Sequence, residues 1–536
     1  MLDNLSQNQR MILAIVLSLV VLVGYDYFFI PKTKQNLQTM ELNNSSKNSK
    51  ETSNRVSGVS APASNISSSG SGAAPSTVKE KLKQKIIATV SSKHYTANID
   101  EFGRIVQFTV NDKKFENEKG EGLKLFDEKS EPKILEVRFS DATLNDEAFK
   151  VPYTADTKEL KIEDKAKILV LTQHLSGIVV TKKITFFPKG NYDIEVSLSK
   201  KSEFYITPGH RPAVIADAYT VHGVLVENPD DTLKIVKDAD CEKSEIVNGA
   251  KIVSAFDRYY TTAFYNFDKG LNAVISPDGQ KDPMVFVRGD KELKFSGFIG
   301  PKDHKLLSSI DPRLTDIIEY GFFTFIAKPM FLLLQFLHNL IGNWGWAIVI
   351  ITILIRVVLF PLTLKGMVSM SKMKELAPKM KELQKKYKDD KQKLNAHMME
   401  LYKKHGANPM GGCLPMILQI PVFFAIYRVL LNAIELKAAP WMLWISDLSL
   451  KDPYFILPIL MGATMFWNQR VTPTTITDPM QEKIMKWLPL VFTFFFVTFP
   501  AGLTLYWFTN NLLSVAQQYY VNYYLEKKKK EQKVGK

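Results

Sequence analysis

Cysteine is almost absent: Cys241 and Cys413 are the only two among 536 residues. No CxxC pair and no Cys/His cluster occurs, which excludes a disulfide scaffold and speaks against a structural zinc site. There is no nucleophile elbow and no phosphate-binding glycine loop. His174, His210, His222 and His304 are scattered, and read as surface or hydrogen-bonded residues rather than catalytic ones. Aspartate and glutamate are missing from five long apolar runs in the C-terminal half. Runs of that kind recur too often for a soluble enzyme, and 46% hydrophobic residues exclude a fully disordered chain.

What is present divides the chain sharply. Arg10 precedes the apolar run Met11–Val23, and Tyr25-Asp26-Tyr27-Phe28-Phe29 stands where a cleavage site would need small residues. Residues 1–30 therefore predict an uncleaved transmembrane anchor that starts in the cytoplasm. Residues 31–83 are dominated by Ser, Asn, Gly and Ala and predict a flexible linker, because they cannot bury enough apolar surface to offset ordering. Residues 84–312 predict a large exported β-sandwich. Ile168–Leu171, Gly177–Phe187 and Tyr192–Leu198 are rich in β-branched and aromatic residues, with Pro188-Lys189-Gly190-Asn191 as a turn. Val285–Val287 and Phe295–Ile299 read as closing strands.

Five candidate spans follow: Trp344–Leu364, Cys413–Ile434, Tyr454–Trp467, Trp487–Phe499 and Gly502–Tyr523. The third and fourth are short, which implies tilt or local bilayer thinning. Charge sets the topology. Residues 365–412 carry twelve Lys against five acidic residues, and 526–536 carry six Lys against two Glu. Residues 435–453 carry two Lys against three acidic residues. The positive-inside rule places the first two segments in the cytoplasm and the third outside. This works only if Tyr320–Ile341 does not cross, so 313–343 predicts an amphipathic helix on the outer surface. The expectation is six spans: the anchor, the span 344–364 and four more within 413–525. A cytoplasmic helical hairpin spans 365–412, the tail 526–536 is basic and cytoplasmic, and Cys241 and Cys413 fall on opposite sides of the membrane.

Some residues in the spans do not belong in lipid. Arg356 lies deep in its run and needs water, a partner or surrounding protein. Thr352 sits one turn earlier; Thr504, Trp507 and Asn511 share a face of the last span; Gln419 lies in the second run. Helices that each carry one polar stripe can line a shared groove, in which a cation attracts a mobile anionic group. Arg428 sits near an outer end and reads as snorkelling. In the hairpin, Met370, Met373 and Met380 precede the Lys388-Asp389-Asp390 turn, and Met398 follows it. These methionines either pack the two helices together or offer an adaptable apolar surface to clients. Lys527, Lys528, Lys529 and Lys530 fix topology, and suit contact with anionic lipid or ribosomal RNA.

Ordered motifs across 342–526 carry a resemblance. They are Gly342-Asn343-Trp344-Gly345 leading to Arg356, and Asn408-Pro409-Met410-Gly411-Gly412-Cys413-Leu414-Pro415. Next come Leu448 with Asp452-Pro453-Tyr454, and Pro473-Thr474-Thr475 with Asp478-Pro479-Met480. The last is Phe499-Pro500-Ala501-Gly502-Leu503; Tyr259-Tyr260-Thr261-Thr262-Ala263 adds a weaker match in the β-domain. This half resembles the YidC/Oxa/Alb family of membrane protein insertases, and the extra first span and exported domain look like its Gram-negative form. The resemblance implies a multidomain membrane protein, an α-helical bundle with an exported β-supersandwich in the periplasm. It implies inner-membrane location and insertion of nascent membrane proteins, alone or with the Sec translocon, without cofactor, small-molecule substrate or nucleotide hydrolysis. It also implies a hydrophilic groove closed on the outside, in which Arg356 attracts acidic client tails and Thr352 and Trp507 touch the client. Two residues depart from the family pattern: Trp507 stands where Tyr is common, and Arg428 where a neutral residue is usual.

Two other classes compete. A secondary transporter or anion channel would use Arg356 as its binding site, but such folds show internal repeats and broken helices, which are not evident here. An exported binding domain needs only one span.

Overall fold

A computed structural model of the chain describes residues 85–534, apart from 117–119, 128, 215–219, 388–389, 406–413 and 473–478. The predicted anchor, the linker and Cys413 lie outside the described residues. The chain divides into two compact units, Met1–Ile318 and Glu319–Lys536.

In the first unit, apolar alternation produces strands whose inward residues are buried, as in Ile178–Phe186 and Asn191–Leu198. The strands form three sheets, the largest of nine strands. At its centre, Glu292–Pro301 pairs with Asn191–Leu198 on one side and Tyr260–Tyr265 on the other, both antiparallel. Ile252–Phe256 and Tyr260–Tyr265 are buried at every position, so they are covered on both faces and need no polar alternation. Two five-stranded sheets complete the layers, one with the parallel pair Ile86–Ser92 and Glu159–Ile162. Two short helices accompany them, α1 (Ala142–Ala148) and α2 (His304–Ile310), each N-capped by an aspartate, Asp141 and Asp303. The predicted β-domain is present, and a 3-10 turn at Pro312–Ile317 carries its end beyond 312. His222 is buried against Asp238 (2.9 Å) and Cys241 is a buried free thiol.

The second unit is helical: α3 (Thr324–Ile341), α4 (Trp344–Lys386), α5 (Lys391–Lys404), α6 (Leu414–Asn432), α7 (Ile456–Val471), α8 (Pro479–Phe496) and α9 (Ala501–Val534). The span expected at 344–364 does not end there. It continues unbroken through Pro361 and Pro378 into the first arm of the hairpin. The basic tail likewise continues α9. Within 313–343, where an interfacial helix is expected, the helix covers Thr324–Ile341. By length and composition, α3 and the first part of α4 (Trp344–Met373) are both sufficient to cross a membrane.

Apolar side chains face outward from this unit: Phe494 is 83% exposed, Val358 76% and Leu340 74%. A water-soluble bundle would bury them, whereas in lipid they are solvated. The helix ends are held by the family motifs. Gly342 takes a left-handed conformation to end α3 (φ 77°), and Asn343 caps α4 through Trp346 N (3.0 Å). The Asn343 amide also donates to the carbonyls of Pro440 and Trp441 (3.2 and 2.9 Å). A Cβ on Gly345 would meet the Trp441 ring at 2.2 Å. Leu448 and Leu450 accept from Gly502 and Ala501 N–H (2.9 and 2.7 Å). Buried Asp452 accepts from Tyr454 N, Leu457 N and Trp444 Nε1. Three motif segments thus knit the predicted outer end of the bundle together.

Candidate functional site

Arg356 lies thirteen residues into α4, about 20 Å along the helix from Asn343. It is 8% exposed, while the next residue, Val357, is 63% exposed, so the guanidinium faces protein and the neighbouring valines face outward. Its Nε donates to Asn510 Oδ1 (2.8 Å) and its Nη2 to Asn510 O (3.1 Å) and Ser514 Oγ. Nη1 reaches Gln517 Oε1 at 3.4 Å. Asn510, Ser514 and Gln517 follow i, i+4, i+7 spacing, so one face of α9 holds the arginine. Gln419 on α6 donates to the same Asn510 Oδ1 (3.2 Å), which brings three helices to one point. Among the described residues no carboxylate pairs with Arg356. Four of its five N–H donors are occupied by neutral acceptors, so its desolvation is offset while its charge stays uncompensated.

The other predicted groove residues are placed differently. Thr352 and Thr504 are buried, and each hydroxyl donates to a carbonyl one turn back, Ile348 O (2.6 Å) and Pro500 O (3.2 Å). Both hydroxyl donors are therefore used within their own helices. Trp507 packs among Phe423, Phe492 and Phe496, with ring centroids 4.6, 6.3 and 5.1 Å away. The Trp507 Nε1 and Asn511 Nδ2 are buried without a hydrogen-bond partner among the described residues. The spacing identified the Thr504, Trp507, Asn511 stripe. It missed the adjacent Asn510, Ser514, Gln517 stripe, whose matching spacing was equally visible in the sequence.

The hairpin methionines are placed as follows. Met373, Met380 and Met398 form a buried cluster with Leu376 and Tyr402, and the Tyr402 hydroxyl lies 3.5 Å from Met380 Sδ. They join the two arms, one of the two arrangements that the sequence leaves open. Met370 is half-buried and Met399 exposed. Asp390 caps α5 through Lys393 N (3.0 Å), as the turn predicts. Lys527 is exposed on α9, and the side chains of Lys528, Lys529 and Lys530 lie outside the described residues. No group of three metal-ligating side chains occurs among the described residues.

Arg428, read from the sequence as snorkelling, is instead buried and lies 3.6 Å from Glu319.

Comparison with known proteins covers both units. The family model described as "60Kd inner membrane protein" matches residues 336–529, and that of the "YidC periplasmic domain" matches 88–333. The membrane protein insertase YidC of Campylobacter jejuni is 55% identical over 530 residues, 97% of this chain and 97% of that protein. The protein of the same name in Wolinella succinogenes is 52% identical, covering 98% of this chain and 97% of its own length. That of Helicobacter pylori is 47% identical over 99% and 98%. The chain belongs to the YidC family of membrane protein insertases.

Proposed function

We propose that this insertase moves a short polar segment of its client past Arg356, then releases the client's apolar helix to lipid. The observation that carries the reading is a buried guanidinium, hydrogen-bonded by neutral groups, on a helix whose next residues face outward. A cation held in that way attracts an acidic client segment without a resident carboxylate to displace. Gln419 and Asn510 extend the polar surface, and Trp507 with its phenylalanine neighbours gives the client helix an apolar wall. No bond is made or broken: transfer of apolar client side chains from water to lipid supplies the driving force. The membrane potential favours outward movement of acidic tails.

In this reading the large β-domain is periplasmic, both termini are cytoplasmic and the chain crosses six times. Loop charge supports that arrangement, and the exposed apolar face of α3 suits a helix lying at the outer interface. The hairpin receives clients through its exposed residues, and the basic end of α9 approaches lipid headgroups or the ribosome. The partners are nascent membrane proteins, with the Sec translocon engaged by some clients.

The test is insertion into proteoliposomes that contain only this protein, scored by protease protection of a two-span client. With an acidic translocated loop, Arg356→Ala lowers protection several-fold; with a neutral loop it does so far less. Equal loss for both loops overturns the electrostatic role. No protection above empty liposomes, with the protein folded, overturns autonomous insertion.

A further inference from the structure

Five residues, Glu319–Phe323, link the end of the β-domain unit to α3. Their packing is unlike that of a passive linker. Glu319 and Arg428 of α6 lie 3.6 Å apart with side chains only 6% exposed each. Asn432, one turn further along α6, donates Nδ2 to the Glu319 carbonyl (2.7 Å) and approaches its carboxylate (3.5 Å). Gly321 adopts φ +74°; a Cβ there would meet Glu319 Oε1 at 3.3 Å and Arg428 Nε at 3.4 Å. The chain therefore bends left-handed around the ion pair, at a position that favours glycine. Two ring contacts flank the bend: Tyr320 on Phe331 of α3 (6.0 Å), and Phe323 stacked on Phe424 of α6 (6.2 Å). Arg428 lies nine residues beyond Gln419, about 13 Å along α6 from the Arg356 site.

We infer that Glu319 and Arg428 are positioning residues that clamp the start of α3 onto α6 and so fix where the chain from the β-domain joins the bundle. Neither touches the client. Their effect on insertion, which rests on the function proposed above, passes through the seating of α3 against α6. A buried ion pair suits this task because its two charges are tolerated only together. If α3 lifts, the Glu319–Arg428 contact and the Asn432 hydrogen bond to Glu319 are lost together. The pair thus opposes displacement of α3 and not just its initial docking.

The experiment uses the full chain in liposomes, with Cys241 and Cys413 replaced by serine. A single reporter, Met330→Cys, is placed at a buried position of α3. Labelling by a maleimide is read without any client, and insertion is read in parallel. Glu319→Gln alone, or Arg428→Met alone, speeds labelling several-fold and lowers insertion. The double variant Glu319→Gln/Arg428→Met labels more slowly than either single, because both members of the buried contact are replaced together. Arg428→Lys, which keeps the charge, stays near the unsubstituted rate. Labelling as slow in both singles as in the parent overturns the clamp, as does a double variant at least as fast as the faster single. If the parent fails to insert clients, the proposed function falls, and labelling still decides the clamp.

Discussion

A charge withdrawn from water is tolerated when its surroundings replace the lost hydrogen bonds, and two residues test this in opposite ways. Arg356 has four neutral contacts, two of them from Asn510. Removing the Asn510 side chain should therefore strand part of the guanidinium. Asn510→Leu is expected to cost about 1–3 kcal/mol, seen as a lower thermal midpoint in detergent. Adding Arg356→Leu should return much of that stability without restoring insertion of acidic clients. A double variant that inserts them normally would detach the arginine from function. Glu227 in the β-domain is the less well satisfied case. It is 3% exposed, and its Oε2 has no hydrogen-bond partner among the described residues. Burial, reinforced by nearby Asp316, pushes its carboxyl up from 4.5 to about 7. The folded state then holds a proton that the unfolded chain releases, so this group's stabilising share is complete below pH 4.5 and is lost as pH rises through 7. Glu227→Gln should match the parent near pH 4 and exceed it by about 1–2 kcal/mol near pH 8. A gain that is the same at both pH values would refute the assignment.

At the scale of elements, local pattern predicted what local physics decides. The runs Gly177–Phe187 and Tyr192–Leu198 became strands Ile178–Phe186 and Asn191–Leu198, because alternation and turn residues act over a few positions. The order of strands in the sheet was not legible, since Asn191–Leu198 pairs with residues about a hundred positions away. Nor were the partners of Arg356 or Arg428, which come from other elements. The span expected to end at 364, where the lysine-rich segment begins, continues as one helix through Pro361 and Pro378. In the hairpin, the sequence left open what the methionines meet, and Met373, Met380 and Met398 prove to be buried together. Their burial yields a prediction. Met380→Ala should cost about 2–4 kcal/mol of local stability and increase proteolysis of the hairpin. Met399→Ala, at an exposed position, should leave proteolysis unchanged while testing the outward surface for client crosslinking. If both variants resist protease equally, the buried cluster does not join the arms.

For the whole molecule, the two units solve different solvation problems. The β-domain buries its apolar faces between sheets, with central strands covered on both sides. The helical unit leaves Phe494, Val358 and Leu340 on its surface and withdraws Arg356 and the Glu319–Arg428 pair. That inversion is stable only in lipid, and it makes the orientation of the loops a consequence of charge. The connection between α6 and α7 includes Leu443, which is 79% exposed, and carries two Lys against three acidic residues. The hairpin carries twelve Lys against five. In a chain with its native cysteines replaced, Leu443→Cys should react with an impermeant thiol reagent added to spheroplasts. Met399→Cys should react only after the inner membrane is opened. Were α3 a seventh crossing, the labelling would reverse at both positions, since every later loop would change sides relative to the anchor. Helix length adds an independent constraint. The sixteen residues of α7 reach only about 24 Å, less than the roughly 30 Å hydrocarbon core. Six crossings with a helix this short require the bilayer to thin beside the bundle. Insertion should therefore rise in liposomes of shorter-chain lipid and fall in thicker ones, with labelling at Leu443→Cys unchanged. An activity indifferent to acyl length would mean that residues flanking α7 bridge the deficit by snorkelling and that thinning has no part in the crossing.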